Sequence, residues 1–486
     1  MTQVPSLRVA IASPEIAPFA KTGGLADVLG SLPVALKRFG VNVSLIMPAY
    51  RSVLQGDFSL KTVGTLDVPI AQRKEKATLL KAMLNRDIPV YFIRADNYFD
   101  RDYLYTTPEG DYPDNAERFT FFARAILEVL KLAPPSILHC HDWQSALAVA
   151  FLKAQPHLYP QLASMKTVFT VHNLGYQGLF SPIDWYLLGL DRSFFTLHYL
   201  EFYGRINFLK GGLVFADAIS TVSPTYAEEI KTPEQGFGLD GVFRERAADL
   251  MGILNGVDYE MWNLETDPHL AKNYNIKSLT SKKANKADLQ RRLNLPIKPS
   301  IPLLGMVSRL ADQKGFDLLE TAMDRLLSRS VQLVILGTGE RLYRDLLAHI
   351  AECYPEKVAV AFTFDDALAH RIIAGADFVL MPSLYEPGGL TQLYGLRYGT
   401  VPIVRAVGGL KDTVDEFDAK TGEGTGVLFA PYSAAAFLEA ADHALAIFRR
   451  KELWAKLMKN AMTADFSWER SAQAYVKLYR KVLERR

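Results

Sequence analysis

Three short stretches combine glycines with charged residues in ways that suit an anionic ligand. Lys21-Thr22-Gly23-Gly24-Leu25-Ala26-Asp27 follows an apolar run, Arg8 to Ala12, and precedes a helical-period segment, Val28 to Phe39. Two glycines at a helix start expose backbone amides and Lys21 adds a cation, so dipole and charge together could hold a phosphate. The Gly-Lys-Ser/Thr order of a P-loop is absent, and so is the third glycine of a dinucleotide fingerprint. A tight loop with a surface lysine is an equally strong reading of these seven residues alone.

Arg309-Leu310-Ala311-Asp312-Gln313-Lys314-Gly315 follows another apolar run, so two cations five residues apart stand where a strand ends. With Lys21 across a cleft they would make three charges facing one point. A departing diphosphate needs that, because its charge grows as the bond breaks and the cations bind it more tightly in the transition state. Two solvated basic residues in a loop are the competing reading.

Glu386-Pro387-Gly388-Gly389-Leu390-Thr391-Gln392 again sets two glycines before a helical run, Leu393 to Tyr398. The acid could meet sugar hydroxyls or a developing cation while the amides and Thr391 hold phosphate. Alternatively Glu386 merely caps that helix. His139-Cys140-His141-Asp142-Trp143 invites a metal reading, but neighbouring side chains alternate faces along a strand and cannot all converge on one ion. Asp142 and Trp143, at the strand end, are better placed for a substrate, as is His172 in Thr170-Val171-His172-Asn173. Asp100-Arg101-Asp102 lies in an irregular aromatic stretch, Tyr98 to Tyr112, and is assigned no metal. That stretch suits sugar stacking about as well as it suits a partly buried loop.

Parallel strands alternating with helices must position these loops. Strands are expected at 8–12, 41–47, 90–93, 137–140, 167–171, 218–222 and 252–254, then at 303–307, 332–336, 358–362, 378–381, 402–405 and 426–429. Between the two series, Asn263 to Pro302 is rich in Pro and Lys and reads as a domain boundary. Lys282, Lys283 and Lys286 within it are expected on one solvated face of a surface helix begun by Thr280. Gly23-Gly24-Leu25-Ala26-Asp27-Val28 is echoed by Gly408-Gly409-Leu410-Lys411-Asp412-Thr413-Val414, which marks similar strand-to-helix loops rather than a strict repeat. Two doubly wound domains follow, with a ligand expected at the carboxyl ends of their strands.

Composition narrows the function classes. The 486 residues carry 55 Lys and Arg against 53 Asp and Glu, a net charge of +2, which argues against a surface for nucleic acid. Two widely separated cysteines, Cys140 and Cys353, fit a reducing compartment. With no basic leader in Met1 to Leu7 and no run near the ~18 apolar residues of a membrane span, a cytoplasmic protein without membrane partner is expected.

With these motifs in order, the chain resembles the bacterial glycogen synthases, which are akin to plant starch synthases. The likeness runs from Ile11 to Asp465-Phe466-Ser467-Trp468 and rests on six motifs: Lys21 to Asp27, His141 to Trp143, Val171 to Asn173, Leu254 to Asp258, Ser308 to Gly315, and Glu386 to Leu396. It implies an α/β GT-B fold, two Rossmann-like doubly wound domains facing an interdomain cleft. Residues 1–258 would form an acceptor-side domain, 259–465 a nucleotide-sugar-side domain, and 466–486 a helix returning to the first. The implied reaction moves glucose from ADP-glucose to the non-reducing 4-hydroxyl of an α-1,4-glucan such as glycogen or a maltooligosaccharide. Configuration is retained, with no metal or pyridoxal phosphate.

The resemblance also implies roles for residues. Lys21, Gly24, Arg309, Lys314, Leu390 and Thr391 would bind diphosphate. His172, Asn255, Glu386, Gly388 and Gly389 would contact glucose, with His172, Glu386 and Asp142 catalytic. Phe364 and Asp27 would lie by the nucleotide, and Tyr105 and Asp142 by the acceptor. Gly388 stands where many relatives have Cys, Phe364 where an adenine-stacking Tyr is usual, and Tyr394 where other retaining GT-B enzymes place a second Glu. Neither acid is an obvious covalent nucleophile, so front-face and double-displacement routes both stay open. A glucan phosphorylase-like enzyme would need a lysine motif for pyridoxal phosphate, and none is found. A non-catalytic glucan-binding regulator would have no need to keep the three cations, His172 and Glu386.

Overall fold

The computed structural model describes residues 7–107 and 110–485; Met1 to Ser6, read above for a leader, lie outside them. The chain divides into two compact units. One comprises Met1–Val222, Ala227–Gly256 and Trp468–Arg486, the other Ser223–Tyr226 and Val257–Ser467.

The first unit is built on a nine-stranded sheet of β1 (Arg8–Ala12), β2 (Asn42–Pro48), β3 (Lys61–Ile70), β4 (Arg73–Leu84), β5 (Ile88–Arg94), β6 (Ile137–His141), β7 (Lys166–Val171), β8 (Ala218–Thr221) and β9 (Leu250–Gly252). Their order is β9-β8-β7-β6-β1-β2-β5-β4-β3. The central strands are parallel and buried on both faces, which is why Val9 to Ala12 is an unbroken apolar run rather than an alternation, and why His139 and His141 are buried together with Ile137, Leu138 and Cys140. Chain order reverses between β1 and β6, and that switch point is where a doubly wound sheet opens a crevice. The Lys21 loop follows β1 and Asp142 follows β6, so the switch point gathers both motifs.

The antiparallel hairpin β3-β4 at one edge was not among the expected strands. Its basic, one-sided sequence RKEKATLLKAML buries mainly alternate residues, a weaker signal than the continuous apolar runs of the central strands. At the other edge, the strand expected at 252–254 forms at Leu250–Gly252. Helix α1 (Gly24–Arg38) follows the Lys21 loop and α2 (Asp142–Ala154) follows β6. The C-terminal helix Trp468–Glu484 also belongs to this unit: Ser471 Oγ donates to Leu254 O at 2.5 Å, and Arg485 reaches Asp249 at 2.6 Å.

The second unit has β10 (Leu303–Val307), β11 (Gln332–Leu336), β12 (Val358–Ala361), β13 (Phe378–Met381), β14 (Val401–Arg405) and β15 (Val427–Phe429) in the order β12-β11-β10-β13-β14-β15. That is the 3-2-1-4-5-6 order of a Rossmann sheet, with its switch point between β10 and β13. Arg309 and Lys314 follow β10, and Glu386 to Thr391 follow β13.

The lysine cluster corrects an expectation. Lys282 and Lys286, on the helix Lys282–Arg292, are only 6% and 4% exposed. Lys286 Nζ pairs with Asp377 at 2.6 Å and Lys282 Nζ donates to Ala374 O at 2.7 Å and Thr400 Oγ1 at 2.6 Å. Their long stems let the helix pack on the sheet while the ammonium groups reach acceptors beneath it. Among the described residues no helix is long and apolar enough to cross a membrane.

Candidate active site

In the first unit the Lys21 loop is braced from below. Glu15, 2% exposed, accepts hydrogen bonds from Thr22 N at 2.5 Å, Thr22 Oγ1 at 2.6 Å and Gly23 N at 3.3 Å, and the Tyr105 hydroxyl donates to it. Two of the loop amides expected to face an anion are therefore already occupied by a carboxylate, and Gly24, the first residue of α1, opens the helix terminus beyond them. Burial pushes the Glu15 carboxyl up, opposed by the three Thr22 and Gly23 hydrogen bonds. Lys21 Nζ pairs with Asp27 at 2.9 Å, which holds the cation beside the helix start. Tyr105 also meets Thr22 Oγ1 at 3.0 Å, so Lys21, Gly24, Asp27 and Tyr105 come together around one loop. Sequence reasoning missed Glu15, although a lone acid within the mostly apolar stretch Ile11 to Ala20 is a usable signal.

The β6 strand ends at His141, and Asp142 takes a left-handed backbone, φ +55°. A non-glycine residue there is strained, and the strain is held by packing and by His172 N, which donates to Asp142 Oδ1 at 2.7 Å. Burial raises the Asp142 carboxyl to about 7, with the Glu15 charge adding to the shift. His172 Nε2 and His141 Nδ1 are 2.8 Å apart, and the His141 ring lies 4.1 Å from that of His139. Burial lowers His139 and His172 to about 3 and His141 well below its ordinary value, so all three rings are neutral at pH 7. Asn255, 8% exposed, keeps a buried Oδ1 with no hydrogen-bond partner among the described residues.

In the second unit Lys314 Nζ donates to Glu386 Oε2 at 2.6 Å, with side chains 16% and 6% exposed. Ser383 Oγ adds a bond to the same oxygen at 3.0 Å. Glu386 is thus not a helix cap. The helix Thr391–Tyr398 starts five residues later with Leu390 as its N-cap, and Thr391 Oγ1 bonds Val307 O at 3.3 Å. Gly389 has φ +66°, and Gly409 N donates to Glu386 O and Pro387 O, both at 3.1 Å. A Cβ on Gly409 would stand 2.2 Å from Gly388 O, so the close approach of the two Gly-Gly loops requires glycine. Arg309 Nη2 reaches Gln313 Oε1 at 3.3 Å. Phe364, on the loop after β12, is 59% exposed. No cluster of three His, Cys, Asp or Glu side chains among the described residues is arranged to hold a metal.

Residues 8–245 match the family described as starch synthase catalytic domain, and residues 290–461 match glycosyl transferases group 1. The chain is 48% identical over 481 residues to the glycogen synthase of Syntrophotalea carbinolica, covering 98% of this chain and 99% of that one. The glycogen synthase of Koribacter versatilis is 48% identical over 476 residues, 98% of each chain. The chain belongs to the glycogen synthase family. Among solved structures, the catalytic domain of starch synthase IV from Arabidopsis thaliana, bound to ADP and acarbose, superposes with a TM-score of 0.91 at 33% identity over 99% of both chains. Sucrose-phosphate synthase from Thermosynechococcus elongatus, TM-score 0.61 at 19% identity over 98% of this chain and 99% of that one, shares the fold. Family membership makes the chain a retaining glycosyltransferase of GT-B fold.

Proposed function

We propose that the protein elongates an α-1,4-glucan by moving glucose from ADP-glucose to the non-reducing 4-hydroxyl, with retention of configuration. The observation that carries this reading is the buried Lys314–Glu386 pair at the switch point of the second unit. It sets a cation and an acid 2.6 Å apart, one suited to a departing phosphate oxygen and the other to positive charge growing on a sugar ring. The Arabidopsis relative bound to ADP and acarbose supports a nucleotide and a glucan as ligand classes.

In this reading Arg309, Lys314 and the Leu390 and Thr391 amides take the diphosphate, with Lys21 and the Gly24 helix start adding charge stabilisation. His172, Asn255, Gly388 and Gly389 orient glucose. Asp27 and Phe364 serve the nucleotide, and Tyr105 and Asp142 the acceptor. Glu386 is already engaged by Lys314 and Ser383, which makes it a poor nucleophile and a good electrostatic stabiliser. Asp142 has one oxygen committed to the His172 amide. The acceptor hydroxyl therefore enters on the face that ADP leaves, giving its proton to a phosphate oxygen while the C1–O bond to diphosphate breaks and the new C1–O bond forms. Neither a resident metal nor pyridoxal phosphate takes part, and the protein works in the cytoplasm.

The deciding experiment incubates the enzyme with ADP-glucose or UDP-glucose and a maltooligosaccharide, and measures chain extension with nucleoside diphosphate release. Extension matched by ADP release is expected; no extension with either donor overturns the reading. Trapping a glucosyl-enzyme adduct would sink the front-face route alone.

A further inference from the structure

The contact between His141 and His172 has a direction that their burial decides. Both rings are neutral, so a single proton lies between His141 Nδ1 and His172 Nε2, 2.8 Å apart. If His172 donated it, the proton of His141 would sit on Nε2. That atom is buried and has no hydrogen-bond partner among the described residues. A buried N–H without an acceptor is the rarer defect in proteins, whereas a bare acceptor lone pair is better tolerated. If His141 donates from Nδ1 instead, Nε2 is only a lone pair, and the single proton of His172 must reside on its other nitrogen, Nδ1.

We propose that His141 is a positioning residue that locks His172 in the Nδ1–H form, so that His172 meets the transferred glucose as a neutral hydrogen-bond donor to a hydroxyl oxygen. The packing of the neighbouring ring supports the lock. His139 lies 4.1 Å from His141 and is itself pinned by Tyr479 OH at 2.8 Å and Thr170 Oγ1 at 2.6 Å, so His141 is held in place from behind. A neutral donor has a further advantage here: it does not oppose positive charge developing on the sugar, as an imidazolium would. The donor role rests on the placement of His172 at glucose proposed above, whereas the proton position does not.

The full-length protein, labelled with 15N only in histidine, tests this through long-range proton–nitrogen correlation spectra at pH 7.5, the His172 signals being identified by their loss in His172→Gln. His172 is expected to show a protonated Nδ1 and a bare Nε2, with the proton of His141 on Nδ1. A proton on His172 Nε2 overturns the proposal without touching the proposed function. For the kinetic arm, His141→Leu removes the donor, and His141→Asn restores an N–H near the original Nδ1. The first should lower kcat with ADP-glucose by about 10- to 100-fold, and the second should recover to within about threefold of wild type. Equal losses in both variants, or no loss in His141→Leu, overturn the positioning role. Full activity in His172→Gln would instead remove His172 from the glucose site, a failure of the functional reading that leaves the spectra unchanged.

Discussion

Lys314 and Glu386 form one buried ion pair, Nζ to Oε2 2.6 Å, rather than two separate ligand contacts. Removing either partner leaves an uncompensated charge in a largely buried setting, and buried pairs broken in this way lose more than surface ones. Lys314→Ala and Glu386→Gln should each lower kcat/KM by about 10- to 150-fold, with the Glu386 effect mainly on kcat. Steady-state kinetics of the double variant Lys314→Ala/Glu386→Gln should fall short of the product of the single effects by about tenfold, a coupling of ~1.4 kcal/mol. Strict multiplicativity would show that the two groups act independently.

Asp142 predicts a pH dependence. Burial raises its carboxyl to about 7, above the unfolded value near ~3.9, so ionisation is disfavoured in the folded chain. Stability from this group is complete below pH ~4 and is lost as pH rises towards 7. Asp142→Asn should therefore gain stability relative to wild type across that window, read by urea unfolding at pH 5 and 7.5. The kcat/KM profile of the wild type should carry a limb near pH 7 that this variant lacks.

Glu15 holds the Lys21 loop by its carboxylate. Glu15→Ala frees the Thr22 and Gly23 amides and the Tyr105 hydroxyl at once, whereas Glu15→Gln keeps one oxygen to accept. Charged hydrogen bonds are worth roughly 1.5 to 3 kcal/mol each, so the alanine variant should lose about 10-fold or more in kcat/KM, and the glutamine variant less. Unchanged kinetics in Glu15→Ala would show that the loop orders itself without this brace.

Lys282 gives the opposite sign to Asp142. Burial lowers its ammonium from an ordinary 10.5 to about 7, so between pH 7 and ~10 the unfolded chain binds the extra proton and stability rises with pH. Lys282→Met has no such group. Its stability relative to wild type should be highest below pH 7 and decline as pH increases to 9, measured by denaturant midpoints in matched buffers.

Lys282 also shows where sequence reading stopped. Its neighbours Lys283 and Lys286 make the segment look like a solvated face, and nothing local reveals that two of the three ammonium groups turn inward to Thr400 and Asp377, 118 and 91 residues away. Glu386 is a similar case: an acid before two glycines and a helix could meet a sugar or cap that helix, and only Lys314, 72 residues earlier, makes it an ion-pair partner. The hairpin β3-β4 escaped because strands buried mainly on one face lack the unbroken apolar run that announces a buried parallel strand.

By itself the sequence determined the alternation of strand and helix, the Gly-Gly loops that follow particular strands, and the identity of the residues that the family motifs carry. These are local properties, set by apolar runs, by backbone freedom and by helix starts, and they survive without knowledge of what lies beside them. Tertiary structure decided which of those residues face one another. The strand orders bring the Lys21 loop and Asp142 to one switch point, and Arg309, Lys314 and Glu386 to the other. Hydrogen bonding and burial then set charge states and proton positions: Glu15 beneath its loop, Asp142 near neutrality, and His141 against His172. Those quantities depend on desolvation and on distances between residues far apart in the chain, which no spacing along the sequence encodes.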